Sequence, residues 1–195
     1  MVHHFRKLVI LSLAAAFCVA GQDVEVNTPY VPSPSNTVTA MLKLAGVQKT
    51  DTVYDLGSGD GRIVIAAAKE FGARSVGIDI NPERVARAQV KAEKAGVAKR
   101  TKFEVGNLFS ADIREATVVT LYLLPDVNAR VRAKLLTELK PGTRVVSHEF
   151  GIKDWPADKE VVVNGSKIFL WTVPDRKLSA KRTCTACAPT ADSLP

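Results

Sequence analysis

Residues 52–61 constrain this chain more than any other stretch: Thr52-Val53-Tyr54-Asp55-Leu56-Gly57-Ser58-Gly59-Asp60-Gly61. A short apolar run reaches an acid and then breaks into three glycines at alternate positions. Arg62-Ile63-Val64-Ile65-Ala66-Ala67-Ala68 follows and reads as a helix. The unit is therefore strand, tight turn, helix. Glycine permits φ > 0 and lets a ligand approach the main chain with no Cβ in the way. Such a turn also aims helix N-terminal N–H groups at that ligand.

Two ligands compete for a turn of this kind. The dinucleotide fingerprint G-x-G-x-x-G/A needs a third small residue to pack helix on strand. Counted from Gly57, that position holds Arg62, and Asp55 would set a negative charge where a pyrophosphate belongs. A carboxylate there suits a cationic group. An ordinary glycine-rich αβ turn is the plainer reading. The arrangement D-x-G-x-G-x-G resembles motif I of the seven-strand methyltransferases that use S-adenosylmethionine (SAM), whose acid holds the methionine amino end through the turn.

The next acid falls at the expected place. Ser75-Val76-Gly77-Ile78-Asp79-Ile80 reads as a second strand ending on Asp79, about 20 residues past the glycines. An acid there accepts hydrogen bonds from ribose hydroxyls. Alone, Asp79 reads equally as a loop carboxylate or a helix cap. Together, motif and acid point to a nucleoside-bearing cofactor.

The rest of the chain continues the alternation. Residues 21–35 are polar and proline-rich, and Thr28-Pro29-Tyr30-Val31-Pro32 reads as an extended segment across the domain. Ser33 is expected to cap a helix with Pro34 at its first position, and Gly46 to stop it. Strands are expected at 51–56, 74–80, 101–105, 116–123 and 143–149. Helices are expected at 60–71, from Asn81-Pro82 to Gly96, and at 126–139. This pattern implies a parallel sheet with helices on both faces. Two further β-rich runs, Glu160 to Val163 and Lys167 to Val173, flank Asn164-Gly165, the strongest short hairpin signal. The expected fold class is α/β, a Rossmann-like seven-strand methyltransferase sheet closed by a C-terminal antiparallel hairpin.

At 195 residues the chain accommodates one domain with a sizeable core. The expected organisation is a signal peptide over 1–21, an extended segment and helix over 22–46, the methyltransferase domain over 47–173, and a polar, disordered tail over 174–195. The leader reading rests on His3, His4, Arg6 and Lys7 ahead of a 13-residue, mainly apolar run from Leu8 to Ala20, followed by Gly21 and the acids Asp23 and Glu25. That run is short of the ~20 residues a spanning helix needs. An uncleaved membrane anchor is the alternative. Either reading places the domain outside the cytoplasm, although SAM is made inside it. Net charge is +7, and +5 without Arg6 and Lys7. No long basic run with interleaved aromatics is present, so nucleic-acid binding is weakly supported. Cys184 and Cys187 with the one remaining histidine, His148, fall short of the four ligands of a structural zinc site. In an oxidising compartment a local disulfide is the plain reading, and a redox pair the alternative.

A narrower resemblance spans most of residues 28–173. Tyr30-Val31-Pro32, Asp55 to Arg62, Leu121-Tyr122-Leu123-Leu124-Pro125 and Pro141-Gly142-Thr143-Arg144-Val145-Val146-Ser147 occur in that order. The chain resembles the small lysine methyltransferases that act on the adenine nucleotide translocase and on the c-ring protein of ATP synthase. That resemblance implies SAM as cofactor and a lysine side chain of a protein, membrane proteins included, as acceptor. It implies that Asp55, Gly57 and Gly59 hold the methionine part and Asp79 the ribose, with Ser58 and Ile80 completing the set. Asn107 and Leu108 would flank the adenine, and Tyr30 would close over the cofactor. Asn107 also reads as a turn residue and Tyr30 as a packing aromatic. Tyr122 and the backbone of Leu123 would orient the acceptor amine, with Tyr122 as a core aromatic the alternative. A SAM-binding protein without catalysis, and an O-methyltransferase using His148 and Glu149 as base, are the other functions left open.

Overall fold

In the computed structural model, which describes residues 31–175, one mixed sheet organises the chain. The leader, Tyr30 and the Cys184–Cys187 pair lie outside the described residues. The strands are β1 (Thr52–Leu56), β2 (Arg74–Asp79), β3 (Thr101–Val105), β4 (Val118–Leu121), β5 (Arg144–His148), β6 (Lys159–Val163) and β7 (Ser166–Thr172). The helices are α1 (Ser35–Leu44), α2 (Arg62–Phe71), α3 (Pro82–Lys94) and α4 (Pro125–Glu138), with a short 3₁₀ turn at Ala98–Arg100. Strand order is β3-β2-β1-β4-β5-β7-β6. The first five strands run parallel, and β7 and β6 close the edge antiparallel.

Side-chain alternation explains the two-sided core. Successive strand residues point to opposite faces. Val53, Val118, Val146 and Ile168 pack with α1 and α2 on one face. Leu56, Val119, Leu121, Val145 and Trp171 pack with α4 on the other. The α3 residues Val85, Ala88 and Ala92 meet Val64, Ala68 and Phe103. Asn81 caps α3 as the sequence suggests, its Oδ1 accepting from the N–H groups of Glu83 and Arg84.

Three expectations need correction. Ser33 does not cap α1. Pro34 holds the N-cap position, and the Ser33 hydroxyl is engaged by His148 instead. The fourth strand is shorter than 116–123. It pairs with β1 only as far as Leu121 opposite Leu56, where β1 enters the glycine turn, so Tyr122 and Leu123 have no partner in β1. The fifth strand ends at His148 because Glu149 turns to φ 62°, a left-handed conformation that no ladder accommodates.

This strand order places α2 and the β1 turn where the strand order reverses, between β1 and β4. In open α/β sheets, ligands bind outside the carboxyl ends of the strands at that point.

Candidate functional site

The glycine turn is pinned from two sides. The N–H groups of Gly57 and Ser58 donate to the Ile78 carbonyl, at 2.8 and 2.9 Å. The Gly59 N–H donates to Asp79 Oδ2 at 2.8 Å, and the Asn81 N–H to Asp79 Oδ1 at 2.9 Å. Gly57, Gly59 and Gly61 all have positive φ. A Cβ on Gly57 would stand 3.0 Å from Leu123 Cδ2, so the turn packs directly beneath the loop that follows β4.

Asp60 locks the other end of the turn. Its carboxylate accepts from Arg62 Nε and Nη2 and from Lys91 Nζ. Burial alone would raise its pKa, but Arg62 and Lys91 together hold it well below the ordinary carboxylate range. Arg62 Nη1 also donates to the Ser33 carbonyl at 2.7 Å, tying the segment before α1 to the turn.

Asp55 is different. It is buried, and the Thr120 hydroxyl donates to its Oδ1 at 2.7 Å. Burial pushes its carboxyl up to about 7, against the Thr120 hydrogen bond, with Asp79 and Asp60 adding to the rise. Among the described residues no cation pairs with it, unlike Asp60. A buried acid in that position is costly to ionise. A cationic ligand group would reverse that cost.

These features surround an open cleft at the carboxyl ends of the strands, the place where open α/β sheets bind ligands. Asp55, Gly57, Ser58, Gly59, Asp79, Ile80, Asn107, Leu108, Tyr122 and Leu123 all line it. Of the residues proposed from sequence, Tyr30 alone lies outside the described chain, and its neighbours Val31, Pro32 and Ser33 line the cleft. Asn107 also acts as a turn residue, its Oδ1 accepting from the Phe109 N–H at 2.9 Å. Ser58 Oγ is buried against Gly77 and has no hydrogen-bond partner among the described residues.

Sequence reasoning missed Ser33, Arg62 and Arg84, which also line the cleft. Arg62 directly follows the motif and was legible only as the residue that broke the dinucleotide spacing. Arg84 stands in the first turn of α3, 3.8 Å from Asp79, and no sequence signal marked it. His148 does not line the cleft. It is buried behind Tyr122, the two ring centroids 4.1 Å apart. Burial lowers its pKa, with Glu149 opposing, and one ring nitrogen is engaged by Ser33. A direct role for His148 as base on an acceptor in the cleft therefore does not fit. Tyr122 is half-buried, stacks on Phe150 at 6.4 Å, and has its pKa raised by burial and then by Glu149.

Comparisons with known proteins agree with this geometry. Residues 55–159 match the family model described as the ANTKMT methyltransferase domain. A protein-lysine N-methyltransferase of Saccharolobus islandicus is 48% identical, over 77% of this chain and 97% of its own. An adenine nucleotide translocase lysine N-methyltransferase of Mus musculus is 35% identical, over 68% of this chain and 57% of its own. A solved structure described as an RNA methyltransferase from Salinibacter ruber with S-adenosyl-L-homocysteine is 53% identical. It aligns with a TM-score of 0.74 over 75% of this chain and 95% of that one.

Proposed function

The chain belongs to the ANTKMT methyltransferase-domain family, and from that premise we propose that it is a SAM-dependent methyltransferase whose acceptor is a lysine side chain of a protein. The observation that carries the cofactor half is the buried carboxylate of Asp55, without a cationic partner among the described residues, facing the same cleft as Asp79. The residues present fit SAM. Asp55 would hold the methionine amino end, the main chain of Gly57, Ser58 and Gly59 the rest of that arm, and Asp79 the ribose. Asp79 retains acceptor capacity, since a carboxylate has about four lone-pair sites and two are taken by amides. Asn107, Leu108 and Ile80 would flank the adenine side.

Bound there, SAM supplies a methyl group activated by its sulfonium. The chain supplies position. Tyr122 and the Leu123 carbonyl, at the carboxyl edge just past β4, would orient the incoming amine, and much of the acceleration can come from such placement. A lysine must arrive neutral, and a partly dry cleft lowers its pKa. The amine proton leaves to solvent before attack, so no protein base is required.

The acceptor surface has a further mark. Among the described residues six large hydrophobics are exposed, and Val31, Ile80, Leu124 and Val105 line the cleft or adjoin a residue that does. Exposed apolar side chains beside the cleft suit a lysine set in an apolar protein surface, and we propose a membrane protein as the acceptor.

Calorimetric titration tests the cofactor assignment. SAM should bind and NAD should not; heat with NAD and none with SAM would overturn it. The binding should also depend on pH. Below about 7 Asp55 is neutral and has no charge to offer the amino group. Cofactor bound through that group favours the ionised acid, so affinity rises as pH increases through 7. At pH 6 roughly a tenth of Asp55 is ionised, and affinity should be roughly tenfold weaker than at pH 8. The dependence should vanish in Asp55→Asn.

A further inference from the structure

The wall of the cleft formed by residues 31–33 is held by a contact that spans 115 positions in the chain. Ser33 Oγ and His148 Nδ1 lie 2.9 Å apart. Both residues are almost completely buried, Ser33 at 3% and His148 at 2% exposure. Ser33 lines the cleft and His148 does not. The second tie on the same residue, Arg62 to the Ser33 carbonyl, comes from the glycine turn. Ser33 is thus anchored by two separate groups, and its hydroxyl contributes no cap to α1.

The other side of the imidazole fixes its proton. Nε2 has no hydrogen-bond partner among the described residues, and Glu149 Oε1 stands 3.6 Å from it. A carboxylate on that side favours the N–H on Nε2, which leaves Nδ1 as acceptor for the Ser33 hydroxyl. Glu149 is kept in place at considerable conformational cost. Its φ is 62°, and the Phe150 N–H donates across it to the His148 carbonyl, a γ-turn of the rare, strained hand. Neighbouring groups over-determine that turn. Ser147 Oγ donates to the Phe150 carbonyl, Asn128 Nδ2 donates to the carbonyls of Phe150 and Gly151, and the Glu149 N–H donates to the Lys167 carbonyl. Strain maintained by so many partners is characteristic of functional sites.

We infer that His148 is a positioning residue: its hydrogen bond to Ser33 latches segment 31–34 over the SAM cleft, while its ring backs Tyr122, so that cofactor retention depends on a residue far along the chain. The inference rests on the cofactor reading above. The latch is a neutral imidazole accepting from a hydroxyl, and it contributes to binding by holding the wall in its closed position before the cofactor arrives.

Four variants of the full chain test it by calorimetric titration with SAM, with ligand-free melting curves alongside. Ser33→Ala should raise Kd about tenfold, about 1.4 kcal/mol. His148→Gln, whose amide reaches the Nε2 position and leaves Nδ1 empty, should do the same. The double variant should be no weaker than either single one, because both remove one interaction. His148→Asn, which places a polar atom near Nδ1, should restore Kd to within about threefold of the unaltered chain. Unchanged affinity in Ser33→Ala would overturn the latch, as would His148→Asn binding as weakly as His148→Gln. If His148→Gln melts early, Ser33→Ala and His148→Asn decide the question. Absence of SAM binding by the unaltered chain would instead refute the cofactor reading.

Discussion

Alanine at Asp79 is expected to weaken SAM binding by about 100-fold, about 2.7 kcal/mol, the scale of one or two hydrogen bonds to a charged group. Two effects act together. The carboxylate is the proposed acceptor for the ribose hydroxyls, and it is also the group that holds the Gly59 and Asn81 N–H groups. Removing it frees the glycine turn at its centre while the Gly57 and Ser58 amides stay on Ile78. Titration of the variant reads the effect directly. A loss below about threefold would show that the acid at the end of β2 does not bear on the ligand. Asp79→Asn should fall between, because its amide oxygen replaces one acceptor and leaves the charge missing.

Gly61→Ala should have the largest effect on stability. Gly61 sits at φ 77° as the residue before α2. An added Cβ would lie 2.6 Å from Phe103 Cε1 and 2.8 Å from the Ala88 Cβ. The left-handed backbone costs a non-glycine residue about 1–2 kcal/mol, and forcing a methyl into a packed core costs about 1–3. The sum is about 3 kcal/mol, a large part of an ordinary domain's stability. For a chain of this size it should lower Tm by roughly 10 °C. Gly142→Ala separates the two causes. Gly142 has φ 85° with open space around its Cβ position, so it should lose only the backbone part. Equal melting shifts for the two variants would show that the contact with Phe103 and Ala88 has little weight.

The sheet was legible because its strands carry local signatures: β1, β2 and β4 an apolar run, a punctuating turn and then a helical period, and β6 and β7 the Asn164-Gly165 turn between two β-rich runs. Asp55, the glycines and Asp79 were legible because their spacing is set within one strand–turn–helix unit. What escaped depends on partners far along the chain. The end of β4 is fixed by where β1 stops beside it, so the strand expected to reach residue 123 ends at Leu121. Ser33 has every mark of a helix cap, and its hydroxyl goes to a histidine 115 positions away. Glu149 is a non-glycine residue at positive φ, imposed by hydrogen bonds donated by Asn128 and Ser147 and one accepted by the Lys167 carbonyl, which no local pattern announces. Gly57 was read as a ligand-facing glycine; its Cβ position is also filled by Leu123.

Transfer of a methyl group to a protein lysine is tested most directly by following where that methyl goes. The purified protein is incubated with methyl-labelled SAM, a cell-envelope extract and total RNA, beside Asp55→Ala and Tyr122→Ala variants. The fractions are then separated and hydrolysed. Label is expected in methylated lysine of envelope protein, nearly abolished by Asp55→Ala and reduced about tenfold or more by Tyr122→Ala, in the range expected when a positioning group is lost. Label confined to RNA or to small molecules, or equal lysine labelling by Asp55→Ala, would contradict lysine methylation at this cleft.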